Sequence, residues 1–291
     1  MKKDITELFV FIDDFCKVAD EYLSAHMIGE NRKPTRKTEL TKAEILTIIL
    51  MFQQSPCKNF KYFYQSYLQA YNGKEFRSLC SYNRFIELKQ RVTIYLALLL
   101  EWLCKKAKQT GVSFIDSSMI PVCHNKRISS NKVFKSMAAI GKGSMGFSFG
   151  FKLHIVINDK GEIQGISFTR ANVDDRKVVP QITQKLSGLL FGDKGYISQT
   201  LCQKLLNNGL KLITNVKKNM KNQFMTVYEK ALLRKRSLVE TVFDILKNKL
   251  EIVHTRHRSI HNFFIHLLST LVAYSLKKKK PSVISNNLIP N

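Results

Sequence analysis

The hydrophobic period of the chain changes at Gly111, and this change restricts the fold more than any other feature of the sequence. Before it, apolar residues recur every three or four positions; Ile5, Leu8, Phe9, Ile12, Phe15 and Ala19 share one helical face. After it, short apolar runs alternate with helical ones. Val112 to Ile115 reads as a strand, and FKLHIVIN (151–158) and EIQGISFT (162–169) as a hairpin across the turn Asp159-Lys160-Gly161. LLFGD (189–193) reads as a buried strand and KLITNV (211–216) as a further one. Helices are expected over about 175–186, 197–208 and 228–251. This order predicts an α/β protein: a mixed five-stranded sheet with flanking helices, preceded by an all-helical N-terminal domain.

The helical part, residues 1–110, carries one strong local signal. LTKAEI supplies a capping box with Thr41 at the N-cap and Glu44 three residues on, while Leu40 and Ile45 can form a hydrophobic staple, so a helix must start there. Aromatic-rich and apolar helices follow over about 58–71 and 83–108. A loop before the capping box carries Pro34 with Arg32, Lys33, Arg36 and Lys37. Short helices beside a basic loop suit a helix-turn-helix style DNA reader, and equally a packing domain, since no recognition helix stands out by pattern.

Charge narrows the partners. The chain has 47 Lys and Arg against 22 Asp and Glu, a formal net charge of +25. Such an imbalance repels itself in a compact state unless a polyanion is bound, which points to nucleic acid. No apolar run approaches the ~18 residues a membrane span needs, and Asp4, Glu7, Asp13 and Asp14 interrupt what would be a signal peptide, so a cytoplasmic protein is expected. Six cysteines at 16, 57, 80, 104, 123 and 202 show neither CxxC nor zinc spacing and read as reduced thiols.

Two carboxylates stand out by position. Asp116 ends the first strand and Asp193 the fourth, and in an open α/β sheet groups just beyond strand ends share one rim. Glu240, near the middle of the 228–251 helix, can reach that rim. The apolar residues Leu232, Val239, Phe243, Leu246 and Leu250 make the buried stripe of that helix, and Arg236, Glu240, Asp244 and Lys247 lie along its edge. Three carboxylates without thiolates form a hard-oxygen site suited to Mg²⁺ or Mn²⁺. A pair of such ions activates water and stabilises the leaving oxygen of a phosphodiester. Taken singly, each acid also has a plain structural reading as a turn, a cap or a helical ion pair.

FIDSSMIPVCHNKR, NVDDR, FGDKGYIS and LLRKRSLVETVFDILKNKLEIVHTRHRS resemble the blocks of bacterial insertion-sequence DDE transposases, specifically insertion-sequence family nine hundred and eighty-two. The resemblance covers about residues 1–276. It implies an RNase H-like core over 111–276, with Asp116, Asp193 and Glu240 as the metal-binding triad for two Mg²⁺ or Mn²⁺ ions. Related families carry Tyr-x2-Arg-x3-Glu-x6-Lys in the third block; Arg236, Glu240 and Lys247 match it, while Leu233 replaces the tyrosine. The implied activity is cleavage at the element's terminal inverted repeats, then attack of the freed 3′-hydroxyl on target DNA by a homodimer on DNA. A nuclease that never joins ends, and a DNA-binding protein without catalysis, are the alternatives.

Other basic residues are expected along DNA: Lys126 and Arg127 in the Gly, Ser and Lys-rich connection 119–149, and Arg256 and Arg258 in HTRHR. Asp174 and Asp175 read as a helix cap rather than as metal ligands. His124, His154, His254 and His257 form no pair at helical ligand spacing. Phe263 to Leu276 is expected as a packing helix, and 277–291 as a basic, flexible tail.

Overall fold

A computed structural model of the protein describes residues 2–26, 39–76, 78–143, 146–215, 224–253 and 257–283. The basic loop residues Arg32, Lys33, Arg36 and Lys37, together with His254 and Arg256, lie outside the described residues. Two units divide the chain, Met1–Trp102 with His261–Leu276, and Leu103–Ile260 with Lys277–Asn291.

The first unit contains α1 (Lys2–His26), α2 (Lys42–Gln54), α3 (Phe60–Tyr62), α4 (Leu68–Asn72) and α5 (Tyr82–Leu88), and α6 (Thr93–Lys106) begins in it. The capping box forms as the sequence requires: Thr41 Oγ1 accepts from the Glu44 amide at 3.1 Å, and Glu44 Oε2 accepts from the Thr41 amide at 2.7 Å. Leu40, before the cap, is fully buried. Between α3 and α4 the backbone widens into a π-helical turn, Phe63–Tyr67, which carries Phe63 and Tyr64 inward against Phe60 and Phe85. The Tyr64 hydroxyl donates to the Cys80 carbonyl at 2.7 Å, so a buried polar end is satisfied. The six cysteines are free.

The second unit is built on a six-stranded mixed sheet: β1 (Val112–Pro121), β2 (Ala139–Gly143), β3 (Gly146–Asn158), β4 (Ile163–Arg170), β5 (Gly188–Gly192) and β6 (Leu210–Thr214). β1 runs antiparallel to β3 and parallel to β5, and β5 parallel to β6. β2 and β4 follow one another along the other edge of β3, pairing with 146–150 and 151–157. This is the expected mixed α/β architecture, with one strand more than expected. β2 was hidden because AIGKG has no alternation of apolar and polar residues; its place is fixed by backbone bonding to β3 rather than by side-chain burial. β1 also runs on past Ile115 to Pro121, because β3 continues to pair with it there.

Two helices were expected longer than they are. After β4 there is a 3₁₀ turn, Asp175–Lys177, then one turn of helix, α7 (Val179–Ile182), with Pro180 in its first turn. Beyond α8 (Gln199–Asn207), the helix expected over 228–251 is three pieces: α9 (Val227–Arg234), α10 (Ser237–Asp244) and a π-helical turn, Ile245–Lys249. Tight i→i+3 bonds from Lys235 to Leu232 and from Leu238 to Lys235 make the first break, and a wide bond from Leu250 to Ile245 makes the second. The apolar stripe survives both, since Leu232, Val239, Phe243, Leu246 and Leu250 are all buried.

The core beneath one sheet face joins Ile115, Val156, Leu190, Tyr196 and Leu210 to Val179 and Ile182 of α7 and Leu201 and Leu205 of α8. The sheet closes tightly where β5 begins. Gly188 has φ +96°, and a Cβ there would stand 2.3 Å from the Gly111 carbonyl oxygen, so only glycine fits.

The last helix, α11 (Ile260–Ser275), was expected with the sheet. From His261 onward it belongs with the first unit, where Gln53 Nε2 donates to Ser269 Oγ at 2.9 Å. Of the tail, residues 277–283 pack on the second unit: the Val283 amide donates to the Asp159 carbonyl at 2.8 Å. Among the described residues no helix is long and apolar enough to cross a membrane.

Candidate active site

Strand alternation decides which way each side chain of β1 points. Ile115 enters the core under α7 and α8, so Asp116 faces the opposite side, where α10 packs. Parallel pairing between β1 and β5 stops at Phe114 and Phe191, and the two strands then part. Asp116 lies just past that point on β1, and Asp193 is the first residue after β5. Asp193 therefore follows the carboxyl end of β5, whereas Asp116, expected at the end of the first strand, lies inside β1, just beyond the point where pairing with β5 stops, because β3 continues to pair with β1 as far as Pro121.

Arg236, at the start of α10, connects the strand to the helix. Its guanidinium is 3.0 Å from Glu240 Oε1 and 4.0 Å from Asp116 Oδ2. The break between α9 and α10 sets this direction, because Arg236 occupies the turn and has no capping bond to its own helix. Glu240 is the more exposed carboxylate, with 55% of its side chain accessible against 23% for Asp116.

Electrostatics tie the group together. Burial is the main cause that pushes the Asp116 carboxyl up to about 6; the Ser117 amide and Arg236 oppose the rise, and neighbouring Glu240 and Asp193 add to it. The Lys247 amine is held below its ordinary range by burial, against the pull of Asp116. Asp193, Glu240, Arg236 and Lys247, spread along the sequence, thus all interact with Asp116. Among the described residues no three acids, histidines or cysteines are close enough to form a ready metal cage. The donor set still fits a hard divalent cation: it is all carboxylate, and Arg236 already lies between two of its members as a counter-charge.

Lys126 and Arg127 are exposed in a 3₁₀ turn, Asn125–Arg127, capped by the His124 side chain and tied to β3 by Asn125 Nδ2 donating to the Phe147 carbonyl at 2.8 Å. Arg258 is exposed ahead of α11. Arg256 lies outside the described residues.

A polar layer on the other sheet face was missed in the sequence. Asp174 does cap, accepting from the Arg176 amide at 2.9 Å, but Asp175 turns inward. Its Oδ1 accepts from Lys152 Nζ at 2.7 Å and its Oδ2 from Ser117 Oγ at 3.0 Å. Lys152 also donates to the Val173 carbonyl at 2.9 Å. His154 is fully buried beside them, bonded through Nε2 to Thr169 Oγ1 at 2.8 Å; burial drops it to about 4, so it is a neutral core histidine at neutral pH. Tyr196 is buried with its hydroxyl beside Ser117, within electrostatic reach of Asp116, Asp175 and Asp193, and that hydroxyl is pushed well above the ordinary tyrosine range by burial. The available signal was the alternation that puts Lys152 and His154 on one face of β3 opposite Ser117.

Three solved structures are similar to the chain at low scores. The Mos1 mariner paired end complex with Mn has a TM-score of 0.28 at 10% identity, covering 94% of this chain and 96% of that one. The Mos1 transposase paired-end complex with left transposon end scores 0.24 at 9% identity, covering 88% and 84%. The Mos1 Strand Transfer Complex scores 0.24 at 11% identity, covering 88% and 83%. Likenesses this remote carry no argument about mechanism. No curated protein matches the chain. A family model does: the Transposase DDE domain matches residues 106–260, the stretch that holds β1 to β6, Asp116, Asp193 and Glu240, and the chain belongs to that family of transposases.

Proposed function

We propose that the protein is a DNA transposase of insertion-sequence family nine hundred and eighty-two, bacterial and cytoplasmic, that cleaves the terminal inverted repeats of its element and joins the 3′-hydroxyl ends to target DNA. The observation that carries this reading is the convergence of Asp116 and Glu240 on Arg236, with Asp193 at the adjoining strand end. Asp116, Asp193 and Glu240 would hold two Mg²⁺ or Mn²⁺ ions. When bound, such ions lower the pKa of an attacking water or hydroxyl and neutralise charge on the leaving oxygen.

The protein's own groups do the rest. At neutral pH Asp116 is mostly ionised and free to bind a cation, because its proton leaves at about 6. Arg236 lies between the facing carboxylates, and its planar fork can turn to a phosphate. Lys247, partly buried near Asp116, supplies a fixed positive charge for a flanking phosphate. Lys126, Arg127, Arg256 and Arg258 would grip backbone further out, which suits a chain of net charge +25. Two ends must be joined, so two copies are expected on DNA.

The test offers pre-cut element ends, a plasmid target and Mg²⁺ to the full-length protein. Joined products support the proposal. Nicked DNA without joining replaces it with a nuclease, and joining undiminished in Asp193→Asn removes the site assignment.

A further inference from the structure

Ser117 connects two layers that the sheet otherwise separates. Its amide donates to Asp116 Oδ1 at 2.8 Å on one face, and its hydroxyl donates to Asp175 Oδ2 at 3.0 Å on the other. Asp175 is fixed in turn by Lys152 Nζ at 2.7 Å, and Lys152 by the Val173 carbonyl at 2.9 Å. Lys152 keeps only 12% of its side chain accessible, and Asp175 30%. Sheltering an ion pair in this way is seldom justified by stability, since desolvation offsets most of the attraction and well-packed apolar residues would serve as well. The pair lies beneath the stretch of β1 that carries Asp116, and the buried Tyr196 hydroxyl lies beside Ser117 in the same region.

We propose that Asp175 is a positioning residue for the candidate metal site: held by Lys152, it locks Ser117, and Ser117 aims the Asp116 carboxylate. The proposal rests on the reading of Asp116 as a metal ligand. Beyond Phe114 β5 no longer pairs with β1, so at Asp116 and Ser117 the β1 backbone is held by β3 alone, and the Ser117 hydroxyl adds a tie from the face beneath. With Ser117 held from behind, one oxygen of Asp116 is committed to the amide and the other is presented toward Glu240 and Arg236. A ligating carboxylate oriented from behind in this way follows the general behaviour of metal sites, where losing such a partner weakens metal binding by about 10- to 100-fold. The doublet Asp174-Asp175 then divides its labour, the first acid capping the turn and the second reaching under the strand.

The experiment titrates Mn²⁺ into the full-length protein and follows free Mn²⁺ by electron paramagnetic resonance, with thermal unfolding of the metal-free protein in parallel. Asp175→Asn should bind Mn²⁺ about 10- to 100-fold more weakly. Ser117→Ala, which leaves the ion pair in place, should also bind it more weakly while unfolding close to wild type. Lys152→Arg, which keeps a cation against Asp175, should stay near wild-type affinity. Wild-type Mn²⁺ affinity in Asp175→Asn overturns the proposal. If that variant does not fold, wild-type affinity in Ser117→Ala overturns it instead. Should Asp116→Asn itself bind Mn²⁺ as wild type does, the ligand assignment fails, a result distinct from failure of the positioning role.

Discussion

Asp116 sits where burial works against its own charge. The folded chain holds its proton up to about 6, against an ordinary value of 3.8, so folding is favoured by protonation. Its contribution therefore improves as pH falls from above 6 toward 4, and the ionised carboxylate costs the metal-free fold up to about 3 kcal/mol near pH 7. Asp116→Asn keeps an acceptor for the Ser117 amide and removes the charge. We expect it to be more stable than wild type by about 1–3 kcal/mol near pH 7.5 while losing cleavage, with the gain shrinking as pH drops through 6. Thermal unfolding of the two proteins across this range checks it, and a constant difference at every pH would refute it. Catalysis should fall over the same interval, because protonated Asp116 cannot hold a cation.

At the scale of the element, the sheet start at Gly188 gives a contrast with Gly209. Both have positive φ, +96° and +76°, but only Gly188 has backbone where a Cβ would go. Gly209→Ala should cost about 1 kcal/mol for the strained backbone alone, and Gly188→Ala more than about 2 kcal/mol, because β1 and β5 must separate to admit the methyl group. Urea midpoints at unchanged slope measure both. These elements also show what the sequence could reveal. The α2 capping box was legible because every group that forms it lies within four residues. The stripe from Leu232 to Leu250 was legible because burial follows periodicity. The breaks at Lys235 and Ile245 were not, since no proline or glycine marks them and only packing decides where such a helix tightens or widens. β2 was invisible because its pairing uses backbone alone, and Asp175 was read as a cap because a doublet of acids before a helix does not say which one turns inward. Asp193 was legible as the residue after a short apolar run and Glu240 as the edge of a stripe, while the end of β1 was misplaced, because the run past Ile115 is held by pairing to β3 that no local pattern shows.

For the whole molecule, the main fact is that the first unit is discontinuous. Residues 261–276 complete it, with Phe263, Leu267 and Leu271 buried and Ser269 holding Gln53. A chain stopped after Ile260 should keep slow hydrogen exchange in β1, β3 and β5 and lose protection across α2, where Ile48, Ile49 and Leu50 are buried. Uniform protection in both regions would show that the last helix is dispensable. The same discontinuity sets an order on synthesis. A ribosome releases the first hundred residues long before the segment that seals them, so this half of the protein must wait with its apolar faces uncovered while the sheet-forming stretch emerges and pairs. Only a chain extended through residue 276 yields a closed N-terminal unit, and shorter chains would be caught by proteolysis at that end first.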